Sequence, residues 1–153
     1  MTSATFLDAN VPIYAAGAPH PLKSPCLEVL RLAVEHPSAF VTDAEVLQEL
    51  LHRYVAIKRW QQGREVLKRF TELMLGRIEP VAEEDVTLAA GMVDAGHAAR
   101  DLSARDLLHA AIMKRLGVTR MVSADSGLDG LPGIQRLDPT KVARWRPLLA
   151  GKR

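Results

Sequence analysis

The chain has 153 residues, of which 48% are hydrophobic and 25% charged, a composition typical of one globular domain with its own core. Its apolar runs are shorter than the roughly 18 residues that span a bilayer, and its N-terminus does not resemble a secretory signal. Cys26 is the single cysteine. This excludes an intrachain disulfide and a cysteine-based zinc site, and it favours a reducing, cytoplasmic location.

The formal net charge of +2 does not by itself indicate a nucleic-acid partner. The positive side chains are nevertheless concentrated in two segments, residues 58–69 and 141–153. Such clusters can contact phosphate groups, but they are as often solvated helix faces or part of a tail.

The first half of the chain begins with a short apolar strand, Thr5–Leu7, directly followed by Asp8. The Pro- and Gly-rich segment 15–25 predicts a loop. After it, apolar residues at positions 27, 29, 30, 32, 33 and 34 have helical spacing, and Pro37 ends this predicted helix.

A second strand is predicted at Ala39–Val41, followed by a helix that reaches about Trp60. Thr42 and Glu45 have the spacing of a capping box, which predicts Thr42 as the N-cap of that helix. The core-facing stripe of the helix is predicted to contain Leu47, Leu50, Leu51 and Tyr54.

The second half continues the alternation of helices and strands. One helix is predicted at 64–76, where Gly76 ends it, and another from Glu83 to residue 100. A third helix is predicted to begin after the N-cap Ser103. Strands are predicted at 77–82, 120–125 and 133–137. Between Leu107 and Met113 only His109 is not apolar, which predicts a buried helix. The alternation predicts an α/β fold with a mainly parallel sheet of four to five strands.

Acidic residues follow two of these strands. Asp8 ends the first strand and Asp125 ends the fourth, and the carboxyl ends of parallel strands meet at one edge of a sheet. Glu49 and Asp106 each lie in the first two turns of a helix, close to apolar positions. Asp8 and Asp125 are also ordinary turn residues, and Asp106 is also a suitable cap partner for Ser103.

Carboxylates in apolar surroundings need a positive partner or a bound cation. Four of them in one pocket repel each other, and oxygen ligands favour Mg²⁺ or Mn²⁺ as the neutralising ion. Such an ion can activate a water, orient an in-line attack and stabilise the leaving oxygen. The acidic residues therefore predict phosphodiester hydrolysis.

Four segments, FLDANVPIYA, VLQELLHRY, LSARDLLHAA and MVSADSGLD, resemble in order and spacing the acidic motifs of PIN-domain ribonucleases, especially the VapC-type toxins of bacterial toxin–antitoxin pairs. The resemblance implies one three-layer α/β/α domain over residues 1–153, with a core at about 5–138 and a basic tail at 139–153. It also implies a Mg²⁺- or Mn²⁺-dependent endoribonuclease that forms a homodimer and is inhibited by a cognate antitoxin.

The same resemblance assigns functions to individual residues. The catalytic and metal-binding acids are expected to be Asp8, Glu49, Asp106 and Asp125. Supporting roles are expected for Asn10, which would order the loop after Asp8, for Ser123, which would hydrogen-bond Asp8, and for Asp129, which is either a fifth acid or an exposed turn residue. Apart from the resemblance, the basic side chains of Arg53, Lys58 and Arg59 are expected to contact the RNA backbone. The chain departs from the family after Asp125, where SGLDGLPG replaces the aromatic residue often found there.

Two other functions stay open on the sequence. One is an inactive PIN-like module that binds RNA or protein, although the chain contains all four acids. The other is a phosphatase of the haloacid-dehalogenase type, whose second Asp would stand where this chain has Asn10. His109 is expected to be a core residue, and the helices at 27–34 and 64–75 are expected interfaces for a partner.

Overall fold

Five short parallel strands form the centre of the fold. The computed structural model of the protein describes residues 4–96, 102–131 and 133–150. The strands are β1 (Thr5–Leu7), β2 (Phe40–Asp43), β3 (Ile78–Glu79), β4 (Arg120–Val122) and β5 (Gln135–Leu137), and they are ordered β3–β2–β1–β4–β5. All the pairings are parallel, which confirms the predicted sheet and places β1 at its centre.

Helices cover both faces of the sheet, so that β1 and β2 are buried along their whole length. The helices are α1 (Asn10–Ala16), α2 (Lys23–Glu35), α3 (Ala44–Ala56), α4 (Trp60–Leu73), α5 (Glu83–Asp94), α6 (Ala104–Leu116) and α7 (Val142–Trp145). They pack mainly in pairs, α1 with α2, α3 with α4 and α5 with α6. The predicted three-layer α/β/α architecture is confirmed. Within the described residues, no helix combines the length and apolar character needed to cross a membrane.

The start of α3 differs from the prediction. Asp43, not Thr42, is the N-cap, and its Oδ1 accepts a hydrogen bond of 2.8 Å from the Val46 backbone N–H. The Thr42 hydroxyl instead donates to the Leu7 carbonyl of the neighbouring strand. The predicted capping box is therefore wrong, because β2 continues two residues beyond Val41 and carries Thr42 into the sheet.

Other helix boundaries also differ from the prediction, for reasons local to each segment. α1 was not predicted, although Pro12 suits a first helical turn because its missing N–H would have no partner there. α3 ends at Ala56 rather than about Trp60, since Lys58 adopts a positive φ of 57° and a new helix begins at Trp60. Residues 97–100, predicted as the end of the helix from Glu83, lie outside the described residues.

The segment predicted as a basic tail continues the fold as far as it is described. Two 3-10 turns, Pro139–Lys141 and Arg146–Leu149, flank α7, and the first contacts α2. Trp145 is only 4% exposed, and its indole N–H donates a 2.8 Å hydrogen bond to the Asp138 carbonyl. Residues 151–153 lie outside the described part of the chain.

Gly63 allows α3 and α4 to approach closely. A Cβ atom at Gly63 would lie 2.2 Å from the Cβ of Tyr54, which is part of the buried core. Because that neighbour is attached directly to the backbone, it cannot move aside by changing rotamer.

We expect Gly63→Ala to lower the free energy of unfolding by about 1–3 kcal/mol through overpacking. Gly91→Ala is the matched control: it lies inside α5, where an added Cβ would meet no described atom within 4 Å. It should raise stability by about 0.5–1 kcal/mol, because alanine is the better helix former. Urea denaturation measures both, and a stabilising Gly63→Ala would contradict the close packing.

Arg115 connects α6 to the start of α5. Its Nε lies 2.7 Å from Oδ1 of the buried Asp85 and its Nη2 lies 3.1 Å from Oδ2, which also accepts the Ala82 backbone N–H at 2.8 Å. The hydrogen bonds from Arg115 lower the pKa of Asp85 below its ordinary value of 3.8, despite the opposing effect of burial.

We expect Asp85→Asn to destabilise the protein by about 1–3 kcal/mol at pH 7. Because the pKa of Asp85 is lower in the folded state, its stabilising contribution is present above the unfolded value near 3.8 and is lost as the pH falls through the folded value. The difference in the free energy of unfolding between the wild type and the variant, measured by urea titration, should therefore become smaller at acidic pH. The exposed Asp94→Asn serves as control, and a difference that grows at acidic pH would refute the assignment.

Candidate metal centre

Asp8 is held at the carboxyl end of the central strand by three hydrogen bonds. Its side chain is buried, with 7% of the residue exposed. One carboxylate oxygen accepts the Ala9 backbone N–H at 2.8 Å; the other accepts the Ser123 hydroxyl at 2.7 Å and the Asn10 amide at 3.2 Å. Asn10 also donates to Ser123 at 2.9 Å and accepts the Ala124 backbone N–H. These bonds join the ends of β1 and β4 and fix the direction of the carboxylate.

His109 lies beside this carboxylate, on the buried face of α6. It is 1% exposed, and its ring stands 5.2 Å from that of Phe6 in β1. Its Nδ1 lies 2.7 Å from Oδ2 of Asp43, and its Nε2 lies 3.3 Å from Oε2 of Glu49 on α3. The ring therefore stands between two acidic side chains.

Asp8, Glu49 and His109 form a group with the composition of a cation site. One ligand atom from each of the three lies within 4.8 Å of the others, the one such group of three among the residues that the structure describes. Two carboxylates and an imidazole nitrogen suit a divalent ion, because they offer negative charge and lone pairs together. The residues present therefore fit the cation that the acidic motifs imply.

The pKa values in this group show how strongly its charges interact. Burial raises the pKa of Asp8 to about 6, and Glu49 adds to that effect, while His109 and the Ser123 hydrogen bond oppose it. Burial would lower the pKa of His109, but the hydrogen bonds and charges of its acidic neighbours outweigh this and raise it well above 6.5. Without a metal ion, the imidazolium is thus the positive charge that compensates the acids.

The other two predicted acids lie at the border of this group. Asp106 is one turn before His109, and its carboxylate accepts the Ser103 backbone N–H at 2.8 Å in a reciprocal cap of α6. Asp125 is exposed; its backbone N–H donates to the Ser123 hydroxyl at 3.1 Å, and its side chain caps Gly127. Asp125 is therefore linked to Asp8 through Ser123, while neither Asp106 nor Asp125 belongs to the group of three.

The remaining predicted residues lie on the surface. Asp129 forms an ion pair of 2.8 Å with Arg136, and Arg136 also donates to the Ser123 carbonyl. The expected RNA-contacting residues are exposed at the end of α3 and in the turn before α4; they are Arg53, Lys58 and Arg59.

Two residues next to the group escaped the sequence analysis. Asp43 is the last residue of β2, much as Asp8 directly follows β1, and a strand predicted two residues longer would have revealed it. Arg105 lies 3.5 Å from Glu45 and 4.0 Å from Glu49. The sequence feature that could have revealed Arg105 is its position directly before Asp106. His109 is buried as predicted, but the sequence does not reveal its acidic neighbours, because they come from another part of the chain.

Comparison with known proteins supports this picture of the fold. The family model of the PIN domain matches residues 5–134 of the chain. Ribonuclease VapC13 of Mycobacterium tuberculosis is 42% identical over 131 residues, covering 86% of this chain and 97% of its own length. Ribonuclease VapC23 of the same species is 39% identical over 126 residues, covering 80% of this chain and 94% of its own length.

Solved structures with lower identity share the fold. FitAcB from Neisseria gonorrhoeae superposes with a TM-score of 0.68 at 20% identity, covering 90% of this chain and 99% of its own. VapBC2 from Rickettsia felis, bound to a DNA fragment from its promoter, has a TM-score of 0.68 at 15% identity and covers 88% of this chain and 98% of its own. The PIN-domain match and the identities of 42% and 39% to the two ribonucleases show that the chain belongs to the PIN-domain family and, within it, to the VapC ribonucleases.

Proposed function

We propose that this protein is a metal-dependent endoribonuclease and the toxin of a toxin–antitoxin pair. The observation that carries the proposal is the group of Asp8, Glu49 and His109, whose ligand atoms lie within 4.8 Å of one another in a chain related to named ribonucleases. Buried carboxylates gathered in this way are stabilised by a divalent cation, for which we propose Mg²⁺ or Mn²⁺.

Asp8 and Glu49 are the residues proposed to hold the cation. When bound, the cation would supply an activated water and stabilise charge on the phosphate. Ser123 and Asn10 keep the Asp8 carboxylate in one orientation, since both donate hydrogen bonds to the same oxygen. Such fixed orientation removes the need to reorganise the ligand during the reaction.

Asp106 and Asp125 are proposed to complete the acidic site from its border. Both start a helix or a turn, where the free backbone N–H groups favour a negative side chain. In that position they contribute negative potential beside the cation, and Asp125 is connected to the centre through the Ser123 hydroxyl. Asp129 is proposed to lie outside the acidic site, because its charge is neutralised by the ion pair with Arg136.

The RNA backbone is proposed to lie along α3. Arg53 is one helical turn beyond Glu49, Lys58 and Arg59 continue the positive surface, and Arg105 adds a cation beside Glu49. Exposed cations near an acidic catalytic site attract phosphates that the carboxylates alone would repel.

An antitoxin and a second copy of the chain are the proposed protein partners. Leu27 and Val34 on α2 are 45% and 66% exposed, which leaves apolar surface available on a helix that the sequence analysis predicts as an interface. A cytoplasmic location is part of the same proposal, because RNA is found there and the single buried thiol needs no oxidising compartment.

We expect Asp8→Asn to reduce cleavage of total RNA by more than about 100-fold, because a neutral amide is a weaker ligand for a hard cation. EDTA should abolish the wild-type activity, and added Mg²⁺ or Mn²⁺ should restore it. Asp94→Asn, the same substitution at the exposed end of α5, should leave the rate unchanged.

Gel or fluorescence assays of RNA cleavage separate the outcomes. Equal cleavage by wild type and Asp8→Asn, or cleavage in EDTA, would refute the metal-dependent mechanism. Binding of RNA without cleavage under all metal conditions would instead identify an inactive PIN-like module.

We expect simultaneous replacement of Arg53, Lys58 and Arg59 by Gln to weaken RNA binding and to make it less sensitive to salt concentration, because ionic contacts with phosphates are lost. Each phosphate contact with single-stranded RNA contributes about 0.7 to the slope of log KM against log salt concentration. The slope measured between about 50 and 200 mM salt should therefore fall by about two. The control variant replaces three exposed cations elsewhere, Lys141, Arg144 and Arg146, and an equal fall for both variants would contradict the proposed path.

A further inference from the structure

We propose that His109 is a direct ligand of the divalent cation through Nε2, and that Asp43 is the positioning residue that holds its ring. The inference rests on the proposed function, because it concerns the same cation. It adds a nitrogen ligand to a site that the sequence describes as entirely acidic, and with it a preference for transition-metal ions.

The two nitrogens of His109 have different surroundings. Nδ1 lies 2.7 Å from Oδ2 of Asp43, and since a carboxylate only accepts hydrogen bonds, Nδ1 carries the proton. Nε2, across the ring, lies 3.3 Å from Oε2 of Glu49, and His109 offers a ring nitrogen within 4.8 Å of ligand atoms of both Asp8 and Glu49. A histidine that binds a metal through one nitrogen usually donates the other N–H to a carboxylate or carbonyl, and this ring is placed in that way.

Asp43 is itself fixed by the backbone. It is fully buried, and its second oxygen accepts the Val46 N–H at 2.8 Å as the N-cap of α3. The position of this carboxylate is therefore set by the junction of β2 and α3. The ring it holds is also confined by Phe6, at 5.2 Å between ring centres.

Packing alone does not account for this set of contacts. A buried histidine in an apolar helix is satisfied by one or two neutral partners, whereas His109 stands among the carboxylates of Asp43, Glu49 and Asp8. Three acids around one imidazole leave an excess of negative charge. A divalent cation that takes the place of the proton on Nε2, which is released to solvent, would remove that excess.

A nitrogen ligand changes which ion is preferred. Carboxylates suit Mg²⁺ and Mn²⁺ alike, while imidazole binds transition-metal ions better than it binds Mg²⁺. We therefore expect His109 to raise the affinity for Mn²⁺ relative to Mg²⁺.

Pulsed EPR of the Mn²⁺-loaded full-length protein tests the ligand directly. A coordinated imidazole produces hyperfine couplings to ¹⁴N, and labelling the protein with ¹⁵N-histidine should replace them by ¹⁵N couplings. These two spectra of the wild-type protein decide the question even if a variant fails to fold. Bound Mn²⁺ without histidine nitrogen couplings would overturn the inference.

Variants identify which histidine is responsible. His109→Gln should lose the nitrogen couplings, whereas His36→Gln should keep them, because His36 is exposed and precedes β2 at the opposite end of the sheet. Couplings that persist in His109→Gln would overturn the assignment.

Calorimetric titration with Mn²⁺ and Mg²⁺ tests the preference and the positioning role. His109→Gln should weaken Mn²⁺ binding by about tenfold or more and Mg²⁺ binding less. Asp43→Asn keeps a side-chain oxygen for the N-cap and should weaken Mn²⁺ binding by about 10- to 100-fold, with an unchanged circular dichroism spectrum. Equal losses for both ions in His109→Gln, or unaltered Mn²⁺ binding in Asp43→Asn, would contradict the respective role.

Failure of this inference differs from failure of the proposed function. Mn²⁺ that binds through Asp8 and supports RNA cleavage without nitrogen couplings would leave the nuclease proposal intact. RNA cleavage that persists in EDTA would refute the nuclease mechanism whatever the EPR spectra show.

Discussion

Negative charge buried at one end of the sheet is the constraint on which the rest of this structure depends. Asp8 and Asp43 are both buried, and Glu49 on α3 contacts His109, which lies between it and Asp43. Burial without compensation would be unfavourable for each of these carboxylates. His109 offers the compensating positive charge when no metal is bound, and hydrogen bonds from Ser123 and Asn10 stabilise one oxygen of Asp8. The local architecture is thus arranged around a charge that a divalent cation can neutralise.

The topology explains why the acids meet. In a parallel sheet each strand is followed by the N-terminus of the next element, so one edge collects both strand ends and free backbone N–H groups. Asp43 and Asp125 each accept a hydrogen bond at such a start, and Asp106 accepts one at the start of α6, the helix that precedes β4. The same side chains therefore stabilise the starts of these elements and give the edge its negative potential, so their capping role is compatible with the function proposed for them.

The exposure of the site residues increases from the centre of the site to the surface. Asp8 and His109 are buried and fixed by hydrogen bonds, Glu49 is partly exposed, and Asp125 lies at the surface. Arg105 lies 4.0 Å from Glu49 and places a positive charge beside the acidic centre. This order from a rigid interior to a charged rim suits an enzyme that holds a small ion and receives a long polyanion from solvent.

Sequence alone determined the alternation of strands and helices, the buried character of α6 and the acids that follow β1 and β4, because apolar periodicity and strand-end chemistry are local properties. It also contained the motifs of the family. It could not determine the partners of His109, since Asp43 and Glu49 lie 66 and 60 positions away along the chain and meet it only after α3 packs against α6. It misplaced the N-cap of α3 because the end of β2 depends on pairing with β1 and β3. Only the tertiary structure decided that the acids surround a histidine, because long-range packing, not local pattern, sets which buried charges become neighbours.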